Sequence, residues 1–101
     1  MTFITWSEFE KVDIRVGTIL KVEAFPEASN PAYIITGDLG ELGKKKSSAQ
    51  LTRLYMKEDL VGRKVICIVN FRPKQIGPIM SEVLITGLTM GITKLYLPYR
   101  M

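Results

Sequence analysis

The longest regular pattern in the chain is Val12-Asp13-Ile14-Arg15-Val16-Gly17-Thr18-Ile19-Leu20-Lys21-Val22-Glu23-Ala24. Its even positions are mostly apolar and its odd positions mostly polar, which is the period of two expected of a half-buried β-strand. This alternation predicts that the even residues face the core and that Arg15 faces outward. Gly17 lies mid-strand, where a glycine often marks a bend or bulge. A first strand that coils around a barrel needs such a bend.

Prolines, glycines and small polar residues divide the rest of the chain into further elements. Ser7 and Glu10 fit a capping box and predict a helical turn over Trp6–Glu10. Thr52–Leu60 is the best helix candidate, since Thr52 can cap it. The fourth strand, predicted at Lys64–Asn70, is apolar enough to be buried on both faces. Further strands are predicted at Ala32–Leu39, Lys45–Gln50, Lys64–Asn70, Glu82–Leu88 and Thr93–Leu97, with a loop at Phe71–Met80.

Three strands, a helix and two or three strands follow one another in this order. The order predicts an all-β fold with a short helix, namely the OB-fold, a five-stranded Greek-key barrel. Other small β-barrels fit the same order of elements. The chain has 101 residues, of which 47% are hydrophobic, so we expect residues 1–101 to form a single domain with a packed core.

The amino-acid composition limits the kinds of chemistry that the protein could perform. The chain has no histidine and one cysteine, Cys67, which lies in an apolar run. Zinc sites and histidine-based acid–base catalysis are therefore excluded. Composition leaves a carboxylate-only metal site and a lysine nucleophile open, but the sequence contains no recognisable catalytic motif, and we predict no catalytic residue, metal or cofactor. A lone cysteine also fits the reducing cytoplasm. No apolar run reaches the ~20 residues of a membrane span, and we expect no membrane insertion.

Charge is concentrated in the middle of the chain. Residues 44–74 hold nine bases against two acids, for a net charge of +7. Such clustering is the electrostatic footprint of a protein that attracts an anionic polymer. The simpler interpretation is a solvated surface, which an overall net charge of +4 favours.

Several motifs in the right order give a more specific indication. The motifs are Asp13-Ile14-Arg15-Val16-Gly17, Phe25-Pro26-Glu27-Ala28 with Pro31-Ala32, Lys46-Ser47-Ser48-Ala49-Gln50-Leu51-Thr52, Val69-Asn70-Phe71-Arg72-Pro73-Lys74-Gln75-Ile76 and Ser81-Glu82-Val83-Leu84. Together they resemble the CsaA family, a branch of the tRNA-binding domains of the EMAP and methionyl-tRNA-synthetase type.

The resemblance implies an OB barrel, a homodimer and an ability to hold unfolded preproteins ready for export. It also implies membership of a superfamily that binds tRNA. Ser81-Glu82-Val83-Leu84 favours the CsaA branch, because synthetase-fused domains usually carry Ser-x-Gly-Met there. Two features depart from the family pattern, namely Pro78, which stiffens its loop, and the short C-terminal tail after Leu97.

The candidate residues for binding peptide or tRNA combine bases, amides and hydroxyls, and most of them have a structural alternative. Arg15 could contact a phosphate or pair with Asp13. Asn70 lies at the binding face in the family motif, but it could equally close a turn. A glutamate at position 82 could pair with Arg15 or Arg72, or meet basic peptide residues. The full set is Arg15, Lys45, Lys46, Ser47, Ser48, Gln50, Asn70, Phe71, Arg72, Lys74, Ser81 and Glu82.

Two functions remain open at this point. The first is a CsaA-like chaperone that binds unfolded preproteins or peptides. The alternative is an accessory factor that binds tRNA through a basic OB face. One OB face could serve both ligands.

Overall fold

The computed structural model of the chain describes residues 1–27, 31–50, 55–89 and 95–96. Within them, no helix is both long enough and apolar enough to span a membrane. The elements in chain order are α1 (Trp6–Glu10), β1 (Ile14–Ala24), β2 (Tyr33–Asp38), β3 (Lys44–Ala49), α2 (Lys57–Leu60), β4 (Lys64–Ile68), β5 (Lys74–Ile76), β6 (Ile79–Ser81), β7 (Leu84–Thr89) and β8 (Leu95–Tyr96).

The main sheet is antiparallel and curls into a half-barrel. Its strand order is β3-β2-β1-β4-β7-β8, and β5 and β6 form a separate hairpin. The outer edge of β3 meets the segment that leads into β7, where the Glu82 N–H donates to the Lys46 carbonyl at 2.8 Å. The Ser47 hydroxyl donates to the Val83 carbonyl, also at 2.8 Å. The prediction of a mostly β, OB-type fold with short helices is therefore confirmed.

The alternation predicted for β1 is wrong in its first half. Ile14 and Val16 are 52% and 64% exposed, whereas the odd residue Ile19 is 1% exposed. The pairing between β1 and β2 shifts register between Ile19 and Lys21, so the sides exchange there. Beyond this bulge the even residue Val22 packs against the core. An apolar side chain at every second position indicates a strand, but it does not say which face is covered.

Gly17 has a different role from the one predicted. The irregularity of β1 lies between Ile19 and Lys21 rather than at Gly17. A Cβ at position 17 would lie 2.4 Å from Leu39 Cδ2 and 3.1 Å from the Asp38 carbonyl oxygen. A side chain at this position would therefore displace the Leu39 side chain and crowd the Asp38 carbonyl, because the end of β2 passes close to this point of β1.

The core lies inside the curl of the sheet and is closed by α2. Its most deeply buried residues are Ile19, Ile35, Leu60, Val65, Cys67 and Leu88. Burial raises the pKa of the Cys67 thiol to about 11, so the side chain is neutral at physiological pH. On β4 only Val65 and Cys67 are fully buried, and Ile66 and Ile68 are half-buried. The prediction that β4 is buried on both faces is therefore wrong.

Three local predictions also differ from the structure. Helix α1 has the predicted bounds, but its capping box is formed by Thr5 and Glu8. Tyr55 and Met56 precede α2, which begins at Lys57. The predicted loop Phe71–Met80 contains the β5–β6 hairpin, and the last two strands occupy Leu84–Thr89 and Leu95–Tyr96. The start of the predicted second helix, around Thr52, and the C-terminal tail lie outside the described residues.

Candidate functional site

A pocket of about 440 Å³ opens where the β5–β6 hairpin meets β3 and the start of β7. This volume lies within the range of ~300–1,000 Å³ that is typical of ligand pockets. Its walls combine apolar side chains with hydroxyls, two bases and one acid. The lining residues are Ser48, Phe71, Arg72, Lys74, Ile76, Ser81, Glu82, Val83 and Leu84.

The hairpin that forms one wall is held at its tip. Gly77 turns the chain with a positive φ of +54°, and Pro78 follows it in the turn. A Cβ at position 77 would lie 3.4 Å from Glu27 Cβ and 3.6 Å from the Phe25 ring. Phe25 is 3% exposed, so the tip rests on a buried side chain. Pro78, which the sequence marks as a departure from the family, belongs to this turn.

The opposite wall is built where β3 meets the segment between β6 and β7. The Ser48 N–H donates to the Ser81 hydroxyl oxygen at 3.1 Å. Glu82 Oε2 lies 3.6 Å from Lys45 Nζ. The Lys46 N–H reaches Glu82 Oε1 at 3.4 Å. The carboxylate is therefore neutralised from the β3 side, and its partner is neither Arg15 nor Arg72.

The two bases of the pocket lack such neutralisation. Among the described residues, neither Arg72 nor Lys74 has an acidic oxygen within 4.0 Å. Both are exposed, and Phe71 beside them is 58% exposed. The pocket thus has an apolar interior and a positively charged, partly aromatic rim.

Half of the predicted binding residues come together in this pocket. Those that line it are Ser48, Phe71, Arg72, Lys74, Ser81 and Glu82, whereas Arg15, Lys45, Lys46, Ser47, Gln50 and Asn70 do not. Ser47 is 2% exposed and its hydroxyl is bonded to Val83. Lys45 faces Glu82, whereas Lys46 is exposed within β3 and Gln50 is exposed just beyond its end.

Arg15 lies on the inner face of β1, opposite the buried Cys67, so the prediction that it faces outward is wrong. Its guanidinium donates to both carboxylate oxygens of Asp13, from Nε at 3.0 Å and from Nη2 at 3.1 Å. This hydrogen-bonded pair lowers the pKa of Asp13 and raises the pKa of Arg15. Of the two alternatives for Arg15, the structure therefore contains the pairing with Asp13.

Asn70 joins two segments of the chain. Its Nδ2 donates to the Lys11 carbonyl at 2.6 Å. Its Oδ1 accepts from the Asp13 N–H at 3.0 Å. The amide therefore closes the junction between the end of β4 and the start of β1, directly before Phe71.

Three lining residues are missing from the predicted set, namely Ile76, Val83 and Leu84. The sequence signal for them was weak, because apolar side chains near strands ordinarily belong to the core. The β5–β6 hairpin supplies Ile76 to the pocket, whereas the sequence pattern predicts only a loop over this segment.

Comparisons with known proteins agree with this architecture. The profile of the family described as "Putative tRNA binding domain" matches residues 14–96. A methionine–tRNA ligase from Leptospira biflexa is 39% identical over 84 residues, which are 82% of this chain but 12% of that enzyme. The chain therefore spans about an eighth of the ligases it matches.

Two solved structures are similar along nearly their whole length. The CsaA chaperone protein of Picrophilus torridus is 47% identical with a TM-score of 0.82, covering 95% of this chain and 91% of that one. The chaperone CsaA of Bacillus anthracis is 40% identical, also with a TM-score of 0.82, covering 95% and 87%. The chain therefore belongs to the tRNA-binding domain family, in the branch that contains the CsaA chaperones.

Proposed function

We propose that the protein is a CsaA-like chaperone that binds extended segments of unfolded preproteins or peptides and keeps them competent for export. The observation that carries this proposal is the pocket of about 440 Å³ with an apolar interior. An unfolded segment exposes apolar side chains that a folded protein buries, and such a pocket can take one of them out of water. The protein acts by binding, without a catalytic step.

The main chain beside the pocket supports the same function. Within the described ranges, β5 pairs only with β6, so its other edge has no strand partner. Exposed strand edges bind extended peptides by adding a strand, with main-chain hydrogen bonds giving affinity and nearby pockets giving specificity. A client whose backbone lies along Lys74–Ile76 would bring its alternate side chains to the pocket. Similarity to two CsaA chaperones supports this assignment.

The second candidate function is tRNA binding, and the two bases at the rim favour it. Arg72 and Lys74 are exposed beside Phe71, and bases next to an aromatic ring can hold a phosphate and a stacked nucleobase. The family description and the methionine–tRNA ligase relatives support this candidate. If RNA binds, its affinity must fall steeply with salt concentration.

One titration separates the two functions. Fluorescence anisotropy is measured with a labelled unfolded peptide and with bulk tRNA, at low and at moderate salt. Ile76→Glu should abolish peptide binding, while Val61→Glu, an equal change outside the pocket, should preserve it. Arg72→Glu should weaken tRNA binding, and Lys57→Glu on α2 is its matched control. Failure of the wild-type protein to bind the peptide at micromolar concentration contradicts the chaperone function.

We further propose that the protein is a homodimer that pairs through the outer face of β1 and β4. Ile14 lies opposite Ile68 and Val16 opposite Ile66, which makes an apolar patch whose β1 side chains are more than half exposed. A domain of this size buries a smaller fraction of its surface on folding than a larger domain does, so pairing would add burial that one subunit lacks. A monomeric mass from light scattering would contradict this assembly.

The cytoplasm is the compartment we propose. Cys67 is a free thiol within the core, and nothing in its surroundings requires an oxidising environment. Binding partners of both proposed kinds, unfolded preproteins and tRNA, are found there.

A further inference from the structure

We propose that Asn70 is a positioning residue of the pocket, which orders Phe71 and Arg72 by tying the end of β4 to the segment before β1. This inference rests on the proposed binding function of the pocket. Asn70 does not line the pocket itself, but the two residues that follow it do. Its effect on a ligand must therefore pass through the chain that it holds.

The hydrogen bonds around position 70 require an amide. The side chain donates to the Lys11 carbonyl at 2.6 Å and accepts from the Asp13 N–H at 3.0 Å. A neighbouring main-chain bond, from the Val69 N–H to the Asp13 carbonyl at 3.0 Å, closes the same junction. Aspartate could accept but not donate, and alanine could do neither. Asparagine supplies both groups from one short side chain.

The junction is braced on its other side by an ion pair. Asp13, whose N–H is bonded to Asn70, holds the Arg15 guanidinium through both carboxylate oxygens. Arg15 in turn pairs with Cys67 across the β1–β4 ladder. Two of the predicted binding residues, Arg15 and Asn70, therefore belong to one hydrogen-bond network, which joins the start of β1 to the end of β4.

The same amide anchors the N-terminal arm, which we define as residues 1–12. Within the described part of the chain, the bond from Asn70 to Lys11 is the one hydrogen bond that joins this arm to the barrel. Helix α1 of the arm contributes no buried residue. Loss of the Asn70 amide should therefore release the arm and loosen the Phe71–Arg72 segment together.

A mobile Phe71–Arg72 segment should bind a ligand more weakly, because the conformational entropy lost when the segment becomes ordered reduces the net binding free energy. We expect Asn70→Ala to bind the peptide and tRNA about tenfold more weakly. This is the size of effect expected from the loss of the two hydrogen bonds of the Asn70 side chain. Asn70→Asp, which retains the acceptor for the Asp13 N–H, should lose less.

The control for general destabilisation is Thr86→Val. Thr86 also makes one side-chain bond to the main chain, to the Ile66 carbonyl at 2.9 Å, but it lies outside the pocket. Urea unfolding measures the stability of each variant, and affinities are compared at equal fractions folded. Thr86→Val should bind as the wild type does.

The single tryptophan of the chain reports on the arm without any ligand. Trp6 lies on α1, so its fluorescence anisotropy should fall in Asn70→Ala and stay unchanged in Thr86→Val. Wild-type affinity in Asn70→Ala, or equal losses in both variants, would overturn the positioning role. If the wild-type protein binds neither probe, the proposed function fails, while unchanged Trp6 anisotropy in Asn70→Ala refutes the anchoring by itself.

Discussion

The inner and the outer face of the β1–β4 ladder both carry apolar side chains but differ sharply in the exposure of those side chains. On the inner face Val65 and Cys67 are each 1% exposed. On the outer face Ile14 and Val16 are 52% and 64% exposed, opposite the half-buried Ile68 and Ile66. Both faces carry apolar side chains, yet within one subunit the curl of the sheet covers only those of the inner face.

This difference separates two uses of apolar surface. The inner face stabilises the fold, because its side chains leave water when the chain folds. The outer face adds little to the stability of one subunit, but it can stabilise an assembly. Substitutions on the inner face should therefore change the free energy of unfolding, whereas substitutions on the outer face should change the oligomeric state.

The largest effect is expected from a truncation on the inner face. Ile19→Ala should lower the free energy of unfolding by about 2–5 kcal/mol, because it removes buried methylenes and leaves a cavity. Urea denaturation followed by circular dichroism measures it. Val16→Ala on the outer face is the control and should change the unfolding of the isolated subunit by less than about 1 kcal/mol. Similar losses for both variants would erase the distinction between the faces.

The next largest effect is expected at Gly17 on the inner face, where a side chain would crowd its neighbours. Gly17→Ala places a Cβ against Leu39 and the Asp38 carbonyl, so the free energy of unfolding should fall by about 1–3 kcal/mol. The same denaturation experiment applies. Gly37→Ala is a useful comparison, because its nearest contact for a Cβ is the Thr18 carbonyl oxygen at an ordinary 3.8 Å. A greater loss for Gly37→Ala would contradict the assigned close approach.

A charge on the outer face should act on assembly instead. Val16→Glu should convert a dimer into a monomer in light scattering, since pairing would bury an unpaired carboxylate. The unfolding free energy of the separated subunit should change by about 0.5 kcal/mol or less. Glu substituted at the exposed Val61, away from β1, should leave the mass unchanged. A dimeric Val16→Glu variant would show that the subunits pair elsewhere.

The smallest effect concerns the ion pair at the end of the ladder. The pKa of Asp13 is lowered in the folded protein, chiefly by its hydrogen bond from Arg15. Its stabilising contribution is therefore present above the unfolded pKa of about 4 and is lost as the pH falls through the lower, folded value. Asp13→Asn should flatten the acid limb of the stability curve. An unchanged profile below pH 4 would mean that the pair is without effect on folding.

Much of the architecture could be predicted from local sequence. The period of two marks β1, the turn residues separate the strands, and the order of elements indicates the OB-type barrel. The motifs also identified two bases, two hydroxyls and one carboxylate that meet in one pocket, namely Arg72, Lys74, Ser48, Ser81 and Glu82. Local chemistry is sufficient here because strands and turns depend on residues close in sequence.

What the sequence alone determined is the set of strands, the alternation of apolar and polar residues along β1 and the concentration of bases at residues 44–74. The tertiary structure decided which face became the core, since a bulge after Ile19 exchanges the sides and barrel closure covers only one of them. It also decided that Arg15 pairs with Asp13, that Glu82 faces Lys45 and that Ile76 joins the pocket. These contacts join residues through the pairing of whole strands, so no local pattern contains them.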